Sequence, residues 1–223
     1  MKGTVKDNDY SFDEFLLGVK REDSSFTQKL MDAAESRGNK MVYTIIYLGP
    51  GDYHRYHSPA NCKFHYRRHI AGWLEPVKPA YVFKHKEVFK DNERVSLLGE
   101  WDEGFFAVSY VGALNVGAIE LHYDNELKTN IMNPDYFNDK VYMNQDSFRE
   151  CPKFMNDLNS VRDEFFVKED LTEAMPFTFE AGEEMGMFKF GSTIVLMMEV
   201  PQSMDLNLER GQKLQYGQNI LSH

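Results

Sequence analysis

The stretch Met185-Gly-Met-Phe-Lys-Phe-Gly-Ser-Thr-Ile-Val-Leu-Met-Met-Glu-Val200 does most to limit how this chain folds. It is apolar almost throughout and reads as one buried strand rather than a turn. Gly191 sits inside it. A glycine there weakens a strand and marks a bend or a close backbone approach. Ser192 then sets a hydroxyl against the same peptide bond. The chemical reading is a chain that cuts itself between Gly191 and Ser192.

The chain's 223 residues suffice for one sizeable core, and no repeat or linker divides it, so residues 1–223 read as a single domain. Its net charge of −10 argues against a non-specific nucleic-acid binder. Two cysteines, Cys62 and Cys151, do not make a disulfide framework. No apolar run reaches the ~20 residues of a bilayer span, and the first ten residues carry neither signal-peptide nor transit-peptide character.

Two capping-box patterns open the chain. Ser11-Phe-Asp-Glu14 leads a short helix stopped by Gly18, and Ser25-Phe-Thr-Gln28 leads another that ends at Gly38. The pattern then turns to strands around Met41–Leu48, Ala80–Phe83, Val95–Leu98, Phe105–Val111 and Val116–Tyr123. Residues 133–170 are polar and weakly periodic, a loop with one helix. Glu209-Arg-Gly-Gln-Lys and Gln215-Tyr-Gly-Gln form two Gly-centred turns of a terminal hairpin. The fold class is mainly β (α+β): an antiparallel barrel or sandwich with a few short helices near the N-terminus and in 133–170.

Chemistry concentrates in a second place. Tyr47-Leu-Gly-Pro-Gly-Asp-Tyr-His-Arg-Tyr-His-Ser-Pro59 leaves a strand and breaks on Gly49, Pro50 and Gly51. Loops on a rigid scaffold commonly hold catalytic groups. His54 and His57 are suited to proton transfer near neutral pH, and the alternative is two hydrogen-bonded surface histidines. A zinc site would need Cys62, His65 or His69, whose spacing fits no tight ligand pattern, so no metal is expected. Lys63-Phe-His-Tyr-Arg-Arg-His69 is either a solvated strand face or an anion site, with Arg67 and Arg68 on opposite faces of the strand.

Together these segments resemble the phosphatidylserine decarboxylase family over nearly the whole chain. The resemblance rests on Tyr10-Ser-Phe-Asp-Glu-Phe-Leu, Pro50-Gly-Asp-Tyr-His-Arg-Tyr-His-Ser-Pro59, and Arg67-Arg-His with Gly72. Asn92-Glu-Arg-Val-Ser-Leu-Leu-Gly-Glu-Trp101, Val111-Gly-Ala-Leu-Asn-Val-Gly117 and Phe190-Gly-Ser-Thr193 complete it, in the family's order.

The resemblance implies self-cleavage at Gly191-Ser192 into a β chain, 1–191, and an α chain, 192–223, headed by a pyruvoyl group made from Ser192. That group would decarboxylate phosphatidylserine to phosphatidylethanolamine through a Schiff base. His57 would be the base for self-cleavage and His54 the group for decarboxylation or protonation. Tyr47, Arg67, Arg68 and His69 would contact substrate. Expected partners are phosphatidylserine in a membrane surface, the β and α chains with each other, and a second copy as a homodimer. The expected place is the mitochondrial inner membrane. The family's Asp-Gly element does not precede Tyr10 here, which makes slow maturation an expectation. The alternative is an uncut, non-catalytic member that binds anionic lipid or acts as a scaffold. A carrier-domain reading of the hairpin finds no lysine in a modification context.

Overall fold

The computed structural model describes residues 12–18, 26–114, 118–131, 136–142 and 176–222. Two helices lead, α1 (Phe12–Leu17) and α2 (Phe26–Ser36). Gly18 and Gly38 follow them with φ of +72° and +77°, the left-handed conformation in which glycine ends helices at low cost. Residues 11 and 25, the expected caps, lie outside the described residues.

The strands are β1 (Asn39–Tyr47), β2 (Arg55–His57), β3 (Cys62–Ile70), β4 (Arg94–Trp101), β5 (Gly104–Val111) and β6 (Ile119–Leu121). They continue with β7 (Phe137–Val141), β8 (Phe177–Phe179), β9 (Glu184–Phe188), β10 (Thr193–Pro201), β11 (Asp205–Leu206) and β12 (Leu221–Ser222). One sheet runs β1-β10-β5-β4-β3-β7, with β8 on the first half of β3, and all its pairings are antiparallel. A smaller sheet runs β2-β9-β6, and β11 pairs with β12. The large sheet is an open path among the described residues. Mainly β and antiparallel is therefore right, and a closed barrel is not what forms.

Strands β4, β5 and β10 are buried along nearly their whole length, because layers cover both faces of the sheet. On one face Phe26 of α2 meets Phe105 at 6.3 Å and Phe12 of α1 meets Tyr43 at 5.0 Å. On the other, Tyr110 stacks on Tyr56 of β2 at 3.8 Å and takes the edge of Phe188 of β9 at 6.0 Å. Odd and even positions of a strand point to opposite faces, so Phe105 and Tyr110 serve different layers.

A close approach within the large sheet needs glycine. Strand β3 bulges where Phe64 faces Gly99 and Tyr66 faces Leu98. A Cβ at Gly99 would lie 2.0 Å from the Lys63 carbonyl oxygen and 2.7 Å from the Phe64 Cα. Those are backbone atoms and cannot step aside. Gly99→Ala is expected to lower stability by about 3 kcal/mol, read as a shift of the denaturation midpoint.

The structure corrects four readings of the sequence. Met185–Val200 is two strands, β9 and β10, in different sheets, with Gly191-Ser192 at the crossing between them. Ala80–Phe83 is not a strand. Pro79 starts a helical turn there, α3 (Pro79–Val82), because its fixed φ suits a first helical position. A second turn, α4 (Val88–Asp91), precedes β4. Within 133–170 lies strand β7, held on the second half of β3, and most of that stretch, where one helix is expected, lies outside the described residues. The terminal hairpin exists, but β11 and β12 flank both glycine turns rather than separating them.

Candidate active site

One rung of backbone pairing crosses the large sheet at its end: Tyr47, Thr193, Val111, Arg94, Ile70 and Phe137. Ser192 immediately precedes that rung and is fully buried. Its carbonyl oxygen accepts the Leu48 N–H at 2.7 Å. Its hydroxyl donates to the Val111 carbonyl oxygen on the other side. The residue just before β10 is thus held between the loop that follows β1 and the end of β5.

Gly191 is pressed against the loop that follows β1. A Cβ at Gly191 would stand 2.7 Å from the Leu48 carbonyl oxygen and 3.1 Å from that of Gly49. The loop turns tightly at that point, with Gly49 N–H donating to Asp52 Oδ2 at 2.7 Å and Asp52 N–H to the Gly49 carbonyl at 3.0 Å. Only a residue without a side chain lets the peptide bond lie this close. Gly191 lies between β9 and β10, not inside a strand, and serves this contact.

The same turn holds His54. Its Nε2 lies 2.9 Å from the Gly49 carbonyl oxygen, and its ring is 6.0 Å from that of Phe190. A carbonyl only accepts, so Nε2 carries the hydrogen and Nδ1 is the basic nitrogen of the neutral ring. His57 is set the other way. Its Nδ1 lies 2.7 Å from the Gly182 carbonyl and must be the protonated nitrogen, while Nε2, 2.9 Å from the Tyr53 hydroxyl, accepts. The two histidines of the motif are therefore held in opposite tautomers.

The geometry brings together Gly191, Ser192, His54 and Tyr47, which pairs with Thr193 and is 37% exposed. His57 sits further along β2, linked to the loop through Tyr53. Arg67, Arg68 and His69 are on β3, three strands from β10, and all are buried. Arg67 bonds Asp124 through Nε at 3.1 Å and the Asn138 carbonyl through Nη1 at 2.8 Å. Arg68 pairs with Asp139 at 3.1 Å and lies over the Phe137 ring, and His69 meets Glu93 at 2.9 Å. This strand is not a solvated face. Arg67 and Arg68 are matched by carboxylates inside the fold, and only Lys63 of the strand is exposed. Burial acts to raise the Asp124 carboxyl, but Arg67, Tyr142 and Lys140 outweigh it and hold that group below the usual carboxylate range.

Reading the sequence missed the carbonyls of Val111, Gly49 and Gly182, since nothing in a sequence marks a backbone acceptor. It also passed over Tyr53, four residues before His57, and Tyr216, whose ring lies 4.9 Å from His57 across the hairpin. The Thr193 hydroxyl is buried with no hydrogen-bond partner among the described residues. Among the described residues no group of three or more His, Cys, Asp or Glu side chains is placed to hold a metal ion.

The phosphatidylserine decarboxylase family model matches residues 2–222. The chain belongs to the phosphatidylserine decarboxylase family. The mitochondrial phosphatidylserine decarboxylase proenzyme of Rattus norvegicus is 40% identical over 183 residues, covering 82% of this chain and 39% of its own. The Caenorhabditis elegans mitochondrial proenzyme is 32% identical over 218 residues, covering 98% of this chain and 47% of its own. The mitochondrial proenzyme 1 of Saccharomyces cerevisiae is 34% identical over 187 residues, with 84% and 33% covered. This family member thus spans less than half the length of these relatives.

Proposed function

We propose that this chain is a self-cleaving proenzyme that makes its own pyruvoyl group and decarboxylates phosphatidylserine to phosphatidylethanolamine and carbon dioxide. The observation that carries the reading is the setting of Ser192: a buried hydroxyl at the crossing between two sheets, oriented by Val111, next to a glycine pressed on the His54 loop. The family and the proenzyme names of its relatives agree with it.

In the first step the Ser192 Oγ attacks the Gly191 carbonyl carbon, and the peptide C–N bond gives way to an ester as the nitrogen takes a proton. A hydroxyl needs a base for this, and His57 is the proposed one. Removal of the Cα proton at 192 then expels the Gly191 carboxylate and leaves dehydroalanine. Water converts that residue to pyruvoyl and releases ammonia. The position suits such a group. It is closed to solvent, and the next residue, Thr193, carries a hydroxyl without a partner among the described residues. A pyruvoyl group there would supply a carbonyl that captures the substrate amine and accepts electrons as the carboxylate leaves. His54, with its basic Nδ1, would move protons near the junction, and Tyr47 would line the approach to it. A substrate role for Arg67, Arg68 and His69 would require them to act from within their buried pairs.

Strand β10 pairs with β1 on one side and β5 on the other, so cleavage would not release the smaller chain. Intact-mass analysis under denaturing conditions tests the reading. The expected result is a species matching residues 192–223. A single full-length species at every time would overturn it. That result would favour the second reading, an uncut protein that binds anionic lipid, which the capture of the Ser192 hydroxyl by a carbonyl rather than by a histidine supports.

The substrate would be met at a membrane surface, and the names of the relatives point to a mitochondrial one. Five exposed large apolar side chains, Tyr47, Trp73, Leu114, Phe137 and Phe190, lie within three residues of the rung that carries the junction. Tyrosine and tryptophan favour the boundary between water and lipid. No helix among the described residues is long and apolar enough to cross a membrane. A Trp73→Ser, Leu114→Ser double variant is expected to lower binding to phosphatidylserine-containing vesicles about tenfold in co-sedimentation. Unchanged binding would remove this edge from consideration.

A further inference from the structure

We infer that Tyr216 and Tyr53 are positioning residues for His57, so that the C-terminal hairpin clamps the histidine of the opposite segment. The inference rests on the self-cleavage reading for its consequence, but its geometry stands alone. Three rings meet at one point: Tyr53 and Tyr216 at 5.0 Å and 72°, Tyr216 and His57 at 4.9 Å and 72°, Tyr53 and His57 at 5.8 Å. Edge-to-face contact at these separations is the preferred arrangement of aromatic rings. Both tyrosines are more than half exposed, Tyr53 at 51% and Tyr216 at 60%, so neither ring is there to fill the core.

Each ring does a different job. The Tyr53 hydroxyl donates to His57 Nε2 and marks that nitrogen as the one that collects a proton. The Gly182 carbonyl holds Nδ1–H from the other side. The two hydrogen bonds select the tautomer, but rocking of the ring would lengthen both and let the other tautomer form. Tyr216, set edge-on against the imidazole, opposes that motion.

The hairpin is built to present Tyr216. Gln218 N–H donates to the Gln215 carbonyl at 3.1 Å, and Gln215 N–H to the Gln218 side chain at 3.0 Å, around Gly217 at φ +75°. Strands β11 and β12 close the base, and Lys40 Nζ of β1 pairs with Asp205 at 2.6 Å to anchor it on the large sheet. After cleavage at 191–192, Tyr216 would belong to the smaller chain and His57 to the larger. The tail would then position a group across the cut.

The test uses the full chain with histidine side chains labelled with nitrogen-15, His57 being assigned by its absence from His57→Gln. The expected wild-type spectrum shows the Nδ1–H tautomer. In Tyr216→Ala the two nitrogen shifts are expected to move toward an averaged mixture, and in Tyr216→Phe, which keeps the ring, to stay close to wild type. In Tyr53→Phe the Nε2 shift is expected to change because its donor is gone. Maturation would slow about tenfold in Tyr216→Ala and Tyr53→Phe and recover in Tyr216→Phe. An unchanged His57 spectrum in both Tyr216→Ala and Tyr53→Phe would overturn the inference, as would failure of phenylalanine to restore it at 216. Shifted spectra in a chain that never cleaves would support the clamp and sink the self-cleavage reading alone.

Discussion

Ser192→Ala is expected to leave the chain in one piece at every time and pH, with no fragment of residues 192–223 detectable by mass. The substitution removes the only side chain proposed to attack the Gly191 carbonyl. It also removes one buried hydrogen bond, to Val111, which costs about 1 kcal/mol and leaves the fold intact. A thermal melt of the variant close to wild type would show that lost chemistry, not lost structure, is responsible. Hydroxylamine sharpens the test in the wild-type protein. It attacks an ester faster than an amide, so it would release a hydroxamate at Gly191 and a fragment headed by unmodified serine. Fragments that appear in Ser192→Ala, or no hydroxylamine-dependent serine terminus in a wild type that does cleave, would rule out the ester route.

Arg67→Ala is expected to destabilise the fold by about 3–5 kcal/mol, the usual result of removing one partner from a buried pair. Asp124, fully buried at its side chain, would retain Tyr142 at 2.8 Å and Lys140 at 3.3 Å but lose its closest cation. The pH dependence has a definite sign. In the wild type the Asp124 carboxyl is held below the usual range, so its contribution is present above the unfolded pKa of about 3.9 and is lost as pH falls through the lower folded value. Without Arg67 the raising effect of burial is less opposed. The deficit of the variant should therefore be largest near neutral pH and narrow below about pH 4. Denaturant titrations at pH 7 and at about pH 3 would show this. A variant with wild-type stability that fails only to bind phosphatidylserine would instead make Arg67 a substrate residue.

Much of the architecture was legible because burial is written as local pattern. Phe105–Val111 and Val95–Leu98 read as strands from their branched and aromatic content; β5 adds one residue to the first, and β4 runs from Arg94 to Trp101 around the second. The failures have local causes of another kind. Around Pro79 a ring that suits the first turn of a helix outweighed the apolar content of Ala80–Phe83. Strand β7, polar in sequence, is held by pairing with β3, a partner far away in the chain. In the site, the Gly-Ser pair and the His-Arg-Tyr-His loop stood out as residue types with their own chemistry. Tyr216 did not, because a tyrosine in a terminal turn has no local signal until the hairpin carries it to His57.

The sequence by itself determined the family and the antiparallel β character, and it put forward Ser192, His54 and His57 as the candidate residues of the proposed chemistry. It did so because side-chain identity and short-range periodicity survive without a fold. Only the tertiary structure decided that Met185–Val200 is two strands in two sheets, with the Gly-Ser bond at the crossing. It also decided which nitrogen of each histidine is basic, since that depends on the Gly49 and Gly182 carbonyls. For the arginines of β3 the sequence left a solvated face and an anion site both open, and the fold places them in buried pairs for the same reason. Backbone acceptors and long-range carboxylates do not exist as features of a sequence, and folding alone brings them within hydrogen-bond reach.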